Sequence, residues 1–247
     1  MIRFTQQKAL PVIAIVQFNT PDIENYASIG AKINSRYCRI HNHHYIREVY
    51  EKTEIRAQEE RLFVIKRHLK NYRWIAWIDS DACIINQKKD IEDFTDSAKN
   101  LITGGHEYGF NLRGKKMKIS MGHKDAGLNT GVFILRNCTW SFEFLEQWIN
   151  LCKLGRETET SLWEQGILQW MLINNICSLR ENIELINPAA KINRQDFREI
   201  NKPDICEFVL HLWGSSSMMR ENIFKQILQG EKPDTPQIEM PKFYIAP

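Results

Sequence analysis

The hydrophobic pattern of the chain is dominated by two near-continuous apolar runs, at residues 12–18 and 74–78. Apolar runs that do not alternate with polar residues, and that are rich in β-branched and aromatic types, are typical of strands buried on both faces of a parallel sheet. The second run leads through an Asp-Ser-Asp triplet at residues 79–81 into another apolar group at residues 82–85. We therefore place residues 74–86 at the centre of the predicted sheet.

Helical and strand-like patterns alternate around these runs. Apolar residues recur at helical spacing in some segments and form short runs in others. The predicted helices are residues 26–40, 59–69, 138–152 and one that begins near 161, and the further predicted strands are residues 45–50, 101–103, 132–135 and 208–213. This alternation predicts a doubly wound α/β fold. The proline-containing tail, residues 231–247, is predicted to be extended.

The Asp-Ser-Asp triplet is the first candidate site. In an extended segment residues i and i+2 point the same way, so Asp79 and Asp81 are expected to converge while Ser80 faces elsewhere. Two buried carboxylates at that spacing are stabilised most simply by a divalent cation bound through oxygen. The carboxyl end of a central strand is also where ligands bind in open α/β sheets. The triplet therefore predicts a cation site at this edge of the sheet.

Length and composition add broader limits. At 247 residues we expect a single domain over residues 1–247, with its core at about 11–230. The net charge of +3 is spread along the sequence and does not require nucleic acid as a partner. The N-terminal apolar patch is too short for a membrane span and lacks a signal-peptide pattern, and the six cysteines include no CxxC pair. We therefore expect reduced thiols and a cytoplasmic protein.

Two clusters of ionisable residues allow more than one interpretation. His41, His43 and His44 have the composition of a metal site, but no acidic or cysteine residue lies at ligand spacing, so we interpret them as a polar helix end before the next strand. The basic run at residues 113–118 is either a solvated loop or a mobile flap that meets an anionic ligand or a lipid surface.

Three later residues are ambiguous when taken alone. Glu164 and Gln165 lie in the first turn of a predicted helix, where an anion is stabilised by the helix dipole, and composition alone would make them helix-start residues. His211 lies inside the apolar run at residues 208–213, a position typical of a core histidine.

Four segments taken together resemble one family. The segments are WIDSDACIIN, LNTGVFILRNCTWSFEFLEQW, WEQGIL and HLWG, in that order. They resemble the retaining glycosyltransferases that include plant xyloglucan xylosyltransferases and yeast α-galactosyl- and α-mannosyltransferases, glycosyltransferase family 34. The resemblance extends over roughly residues 12–214, and it rests on the combination because DxD alone is short and common.

The resemblance implies a fold and a reaction. The fold is GT-A, a nucleotide-binding α/β sandwich with a mostly parallel sheet flanked by helices. The reaction is metal-dependent, retaining transfer of a hexose or pentose from a nucleotide-diphosphate sugar, with a UDP-sugar as the expected donor. The acceptor would be a glycan or a lipid-linked saccharide, and the new linkage would be alpha.

The resemblance also implies roles for individual residues. Asp79, Asp81 and His211 would bind Mn²⁺ or Mg²⁺, which replaces the core interpretation of His211, and one imidazole among oxygen ligands suits Mn²⁺ better than Ca²⁺. Glu164 and Gln165 would be catalytic residues beside the anomeric carbon. The further donor-site residues would be Phe18 near the base, Arg61 toward the sugar and diphosphate, and Ser80 and Gly214, while Asn129, Thr130 and Gly131 would shape the sugar and acceptor pocket.

The chain departs from the family pattern in two places. The family usually carries a lysine soon after the HxxG glycine to hold the diphosphate, whereas this chain reads GSSSMMR there. Either Arg220 or the pair Lys115 and Lys116 is expected to substitute. Secretory-pathway members also carry an N-terminal membrane anchor, and its absence here favours a cytoplasmic enzyme with peripheral membrane contact through residues 113–118.

Several alternatives stay open at this point. Retention allows a covalent intermediate on Glu164 or front-face attack. A sugar nucleotidyltransferase is one rival, although it would normally show a glycine-rich basic loop where this chain reads FNTPDIENY. A non-catalytic, metal-dependent carbohydrate-binding module is the other.

Overall fold

A computed structural model describes residues 12–51, 54–106, 110–112, 115–117, 127–155, 163–187, 189–194 and 208–230. Within these ranges the chain forms eleven strands and six α-helices. The strands are β1 (Ile13–Asn19), β2 (His44–Val49), β3 (Trp74–Ile78), β4 (Ala82–Ile84), β5 (Leu101–His106), β6 (Phe110–Leu112), β7 (Lys115–Met117), β8 (Gly127–Arg136), β9 (Ile183–Ile186), β10 (Asn193–Arg194) and β11 (Val209–His211). The helices are α1 (Glu24–His41), α2 (Ala57–Leu69), α3 (Thr139–Gly155), α4 (Trp163–Ile173), α5 (Leu179–Asn182) and α6 (Ser217–Gln229).

The largest sheet has six strands in the order β2-β1-β3-β8-β5-β9. Strand β8 is antiparallel to both of its neighbours, and the other three pairs are parallel. Five of the six strands therefore run in one direction, which confirms the predicted mostly parallel α/β sheet. A three-stranded sheet, β10-β11-β4, and the hairpin of β6 and β7 complete the described strands.

Alternate residues of the central strands enter two different hydrophobic clusters. In β1, Ala14 and Val16 pack in the cluster that contains residues of α2, α3 and α4, whereas Ile13 and Ile15 pack in the cluster that contains residues of α1. Full burial of a large aliphatic side chain contributes about 1.5–3 kcal/mol. The uninterrupted apolar runs therefore have the predicted cause, since both faces of the sheet are covered by helices.

The Asp-Ser-Asp triplet is not extended, which corrects the prediction for residues 79–81. Strand β3 ends at Ile78, and the backbone N–H of Ala82 donates to the carbonyl of Asp79 at 3.0 Å, closing a turn. The chain leaves the central sheet at this turn because β4 pairs with β11 instead. The two carboxylates are thus brought together by a turn and not by strand periodicity.

Other boundaries differ in ways that bear on the site. Residues 128–131, predicted to precede a strand, lie inside β8, whose pairing with β5 continues past a bulge between Thr103 and Gly105. The strand predicted at residues 208–213 ends at His211. The chain then turns at Gly214, where φ is +74°, and enters α6, a helix that the sequence pattern did not reveal.

The predictions for the more polar regions have mixed outcomes. The segment predicted as an irregular loop after residue 103 contains the end of β5 and the β6–β7 hairpin. Its residues 113, 114 and 118, together with Cys206 and the tail at residues 231–247, lie outside the described residues. The other five cysteines form no disulfide bond among the described residues. None of the described helices is both long and apolar enough to cross a bilayer.

Candidate functional site

Two antiparallel ladders bring distant polar segments to the carboxyl end of β3. Strand β8 pairs with β3 up to Val132 opposite Ile78, and the N–H of Asp79 then donates to the carbonyl of Gly131 at 2.8 Å. Strand β11 pairs with β4 so that His211 lies opposite Ala82. The aspartate triplet, the Asn-Thr-Gly segment of β8 and the end of β11 therefore meet at one place.

One group of described residues has ligand atoms that could hold a metal ion. It consists of Asp79, Asp81 and His211 and is called here the candidate metal site. One carboxylate oxygen of each aspartate and one ring nitrogen all lie within 4.8 Å of one another. His211 Nε2 lies 3.1 Å from Asp81 Oδ1 and 3.8 Å from Asp79 Oδ2. Ligands held about 2.0–2.6 Å from one cation have separations of this order. Two carboxylates and an imidazole form a donor set that suits a first-row divalent cation.

The charges of the candidate metal site depend on one another. Burial alone would raise the pKa of the Asp81 carboxyl, but the charge and hydrogen bond of His211 and the charge of Arg220 outweigh it and lower this pKa. Burial alone would lower the pKa of His211, but Asp81, and to a lesser extent Asp79, raise it. Asp81 is therefore held as a carboxylate, and a proton on His211 competes with a cation for the same nitrogen.

Arg61 connects the candidate metal site to β8 and α4. It is 5% exposed, and its Nη1 donates to Asp79 Oδ1 at 2.8 Å and to the carbonyl of Thr130 at 3.0 Å. Its Nη2 donates to Thr130 Oγ1 at 2.9 Å and is ion-paired with Glu164. A buried guanidinium needs such partners, because an unpaired buried charge is strongly unfavourable. The residue therefore holds one predicted metal ligand and one predicted catalytic residue in fixed positions.

Glu164 and Gln165 both reach Thr130 from the first turn of α4. Glu164 is 2% exposed, its Oε1 accepts from Thr130 Oγ1 at 3.2 Å, and its Oε2 has no hydrogen-bond partner among the described residues. Gln165 Oε1 accepts from the backbone N–H of Thr130 at 3.1 Å. The two predicted catalytic side chains are therefore hydrogen-bonded to the same threonine, next to Arg61.

Gly131 leaves room for the ring of His211. A Cβ added to this glycine would lie 2.0 Å from His211 Cε1 and 2.6 Å from Nδ1. Both distances are far shorter than any carbon contact that packing allows. The imidazole thus lies directly against the β8 backbone, with Nδ1 lacking a hydrogen-bond partner in the described part of the chain. The nitrogen that faces the carboxylates is Nε2.

The remaining predicted residues surround this centre. Ser80 Oγ donates to the carbonyl of Phe18 at 2.5 Å, and the ring of Phe18 lies 4.5 Å from that of Tyr50. Asn129 Oδ1 accepts from the N–H of Gly131 at 2.8 Å. Gly214 lies in an exposed turn, where the N–H of Ser215 donates to the carbonyl of Leu212 at 3.2 Å. Phe18, Ser80 and Asn129 therefore lie around the candidate metal site, whereas Gly214 follows His211 in an exposed turn.

Sequence analysis missed three residues that support the site. Gln17 donates from Nε2 to the carbonyl of Asp79 at 3.0 Å. Its position as a polar residue inside the apolar run of β1 could have indicated a role in the site. Trp77 Nε1 donates to Asp79 Oδ1 at 2.7 Å. Asn193 Nδ2 donates to Asn129 Oδ1 at 2.9 Å from β10. No local pattern around Asn193 marked it as part of a site.

Comparison with known families and proteins adds independent information. A model of the galactosyl transferase GMA12/MNN10 family matches residues 11–221. Galactomannan galactosyltransferase 1 of Cyamopsis tetragonoloba is 29% identical over 168 residues, which are 66% of this chain and 36% of that protein. Probable xyloglucan 6-xylosyltransferase 3 of Arabidopsis thaliana is 31% identical over 137 residues, 53% of this chain and 27% of that protein. The chain thus spans about a quarter to a third of the length of these relatives.

Solved structures share the fold at low sequence identity. A glycosyltransferase involved in glycosylation of the major capsid of PBCV-1 superposes with a TM-score of 0.65 at 20% identity, covering 87% of this chain and all of that one. The galactosyltransferase LgtC, solved with donor and acceptor sugar analogues, superposes with a TM-score of 0.56 at 13% identity, covering 91% of this chain and 98% of that chain. These likenesses show that the predicted GT-A fold is correct.

Proposed function

The chain belongs to the galactosyl transferase GMA12/MNN10 family, and from this membership and the site geometry we propose that it is a metal-dependent, retaining glycosyltransferase that uses a UDP-sugar. The proposed product carries an alpha linkage to a saccharide or glycolipid acceptor. The names of the relatives make galactose and xylose the first donor sugars to test. A cytoplasmic location, a single domain over residues 1–247 and membrane contact through residues 113–118 stay predictions.

The observation that carries the proposal is the convergence in the candidate metal site. His211 Nε2 lies within 3.8 Å of an oxygen of each aspartate, although β11 and the triplet are far apart in sequence. We assign Mn²⁺, or Mg²⁺, to these three residues on the chemistry of the donor set. When bound, such a cation supplies Lewis-acid stabilisation of the diphosphate that leaves the sugar.

The protein side chains have separate tasks in the proposed transfer. Asp79 and Asp81 orient the donor through the cation site, and Arg61 keeps Asp79 in place. The side chains of Phe18, Ser80 and Asn129 and the turn at Gly214 would enclose the base, ribose and sugar. Such a pre-formed set of dipoles and charges is how enzymes stabilise charge that develops in a transition state.

Glu164 is better suited to electrostatic support than to nucleophilic attack. The carboxylate is buried, and its ion pair with Arg61 draws negative charge away from both oxygens, so even the unpartnered Oε2 would be a weak nucleophile. We therefore assign Glu164 to stabilising positive charge on the sugar ring and to holding Arg61. Gln165, which is partly exposed beside it, is the amide assigned to the neighbourhood of the anomeric carbon. These assignments favour front-face attack over a covalent intermediate.

The proposal is tested by a panel of UDP- and GDP-sugars incubated with Mn²⁺. UDP-galactose or UDP-xylose is expected to release UDP slowly by hydrolysis, and faster when oligosaccharide acceptors are added. Binding of the correct nucleotide should also raise the melting temperature, because a ligand that binds only the folded state stabilises it. Product linkage is then read by NMR.

Two further results distinguish a metal-dependent transferase from a non-catalytic binding module. Chelation of the metal with EDTA should abolish UDP release and the thermal shift together. Nucleotide binding without release from any donor or acceptor would instead indicate a non-catalytic binding module, and the absence of both binding and release would refute the proposal.

A further inference from the structure

Arg220 is an anchored cation at the edge of the candidate metal site. Its Nη2 lies 2.8 Å from Asp81 Oδ2, its Nε donates to the carbonyl of Leu212 at 3.1 Å, and its Nη1 donates to Tyr26 Oη at 3.1 Å. The guanidinium also lies 5.0 Å from the centre of the Tyr26 ring. Each nitrogen of the head group has a partner, and the side chain is only 18% exposed. Arg220 is therefore fixed beside Asp81 by contacts with three segments of the chain that are distant from one another in sequence or lie in different parts of the fold: α1, the 79–81 turn and the residue after β11.

Arg220 and His211 approach different oxygens of the same carboxylate. His211 Nε2 faces Asp81 Oδ1, and Arg220 takes Oδ2. A cation could therefore bind between Oδ1, His211 and Asp79 while Arg220 stays in place. The bound cation and the guanidinium would then share one carboxylate, and two positive charges at such short distance repel each other in a partly buried site.

The charge balance shows what would relieve this repulsion. The described side chains in contact around the site carry three carboxylates, Asp79, Asp81 and Glu164, and two guanidinium groups, Arg61 and Arg220, so with His211 neutral, as a metal ligand must be, their formal sum is one negative charge. A divalent cation alone reverses this sum. A diphosphate bound to the cation makes it negative again, and it gives Arg220 a second anion nearby.

We propose that Arg220 couples metal binding to diphosphate binding, weakening the affinity for a divalent cation alone and strengthening it when a nucleotide diphosphate is present. This inference rests on the proposed function, because it takes Asp79, Asp81 and His211 as the metal ligands. Arg220 acts through Asp81 and is thus a positioning residue. A consequence is that the donor and its cation enter together, so that little metal is held on the empty enzyme.

The coupling is measured by titrating Mn²⁺ into the full chain and following free Mn²⁺ by electron paramagnetic resonance, with and without saturating UDP. In the wild-type protein UDP is expected to raise the Mn²⁺ affinity by at least about tenfold. In Arg220→Met, Mn²⁺ alone should bind more tightly, and the effect of UDP should shrink to about threefold or less. By linkage, the effect of Mn²⁺ on UDP affinity must change by the same factor.

Matched variants separate the coupling from simple loss of charge or of structure. Lys225→Met removes one positive charge from the exposed, ion-paired side of the same helix and should leave the coupling unchanged. Arg220→Lys keeps the charge but cannot reach all three partners, so it should restore part of the coupling. Circular dichroism melting confirms that each variant is folded.

The outcomes distinguish this inference from the proposed function. If the wild-type protein binds Mn²⁺ and UDP cooperatively and Arg220→Met retains that cooperativity, only the inference about Arg220 is wrong. If Arg220→Met loses Mn²⁺ affinity equally with and without UDP, Arg220 merely holds Asp81 and the coupling role is also wrong. If the wild-type protein binds neither Mn²⁺ nor UDP, the proposed function fails as well.

Discussion

Two clusters in this molecule combine histidine with aspartate, and their atoms are arranged differently. The candidate metal site lies at the carboxyl end of β3. The second, called here the α1-end cluster, consists of His41, His43 and Asp90, and lies between the end of α1 and the start of β2. Among the described residues the first brings three ligand atoms within 4.8 Å of one another, whereas in the second the two histidines contact different oxygens of one carboxylate. Similar composition therefore does not make similar sites.

The difference lies in how the polar atoms are used. In the α1-end cluster Asp90 Oδ1 accepts from His43 Nε2 at 2.8 Å and from the backbone N–H of Glu92 at 2.9 Å. His41 places Nδ1 3.2 Å from Asp90 Oδ2 and Nε2 3.0 Å from the carbonyl of Gln87. One carboxylate thus fastens a helix end to a loop. In the candidate metal site one oxygen of each of two carboxylates and one imidazole nitrogen lie close enough together to bind the same cation.

The largest expected effect comes from removing Asp81. Asp81→Ala should lower Mn²⁺-dependent UDP release at least about a hundredfold, because the site would lose the carboxylate that both His211 and Arg220 contact. The measurement is UDP release at saturating donor. The folded state should persist, as judged by circular dichroism, and near-normal turnover in a folded variant would contradict the metal assignment.

Gly131→Ala tests whether the packing of His211 is as tight as the contact distances indicate. The new methyl would lie 2.0 Å from His211 Cε1, so the ring must leave the position in which Nε2 faces the carboxylates. We expect the free energy of unfolding to fall by about 1–3 kcal/mol and Mn²⁺ affinity to fall with it. Denaturant unfolding and Mn²⁺ titration measure the two effects.

Gly104→Ala is the matched control for this substitution. Its added Cβ would approach Ala189 Cβ at 3.2 Å, a contact that a small shift can relieve, and it touches none of the three residues of the candidate metal site. Mn²⁺ affinity should therefore stay unchanged. Unaltered Mn²⁺ binding in Gly131→Ala as well would show that His211 is not confined as proposed.

The two clusters also show what a sequence reveals and what it does not. The aspartate triplet was predictable because a buried apolar strand that ends in two acids is a local pattern. His211 was not, since one histidine in an apolar run is typical of a protein core, and only the family resemblance distinguished it. The predicted helix end was correct, since α1 ends at His41, but Asp90, the partner of His41 and His43, comes from a distant loop and was not foreseen.

Long-range pairing accounts for most of what was missed. Asp79 and Asp81 do converge, but the predicted reason, strand periodicity, was wrong. They lie in a turn at residues 79–81 that leads into β4, and β4 pairs with the distant strand β11. The contact between Arg220 and Asp81 depends on that same pairing and on the turn at Gly214 that precedes α6. No spacing within one segment encodes either arrangement.

Gln165→Ala tests how far the functional site extends beyond the metal ligands. Gln165 accepts a hydrogen bond from the backbone N–H of Thr130. Arg61 in turn donates to both Thr130 and Asp79. Gln165 itself touches none of the three proposed metal ligands. We expect kcat to fall about tenfold to a hundredfold with little change in UDP affinity, since the amide would act only on the sugar in the transition state. Equal losses in kcat and UDP affinity would instead assign it to donor positioning.

The smallest effect is expected for Asp90→Asn in the α1-end cluster. Burial alone would raise the pKa of Asp90, but the Glu92 N–H and His43 outweigh it and lower this pKa below the ordinary 3.8. The carboxylate therefore contributes stability that is present above about pH 4 and is lost as the pH falls further. Because 34% of the side chain is exposed, the substitution should cost about 1 kcal/mol or less near neutral pH, by denaturant unfolding. Mn²⁺ affinity should not change, and a loss of Mn²⁺ binding in this variant would mean that the α1-end cluster also holds metal.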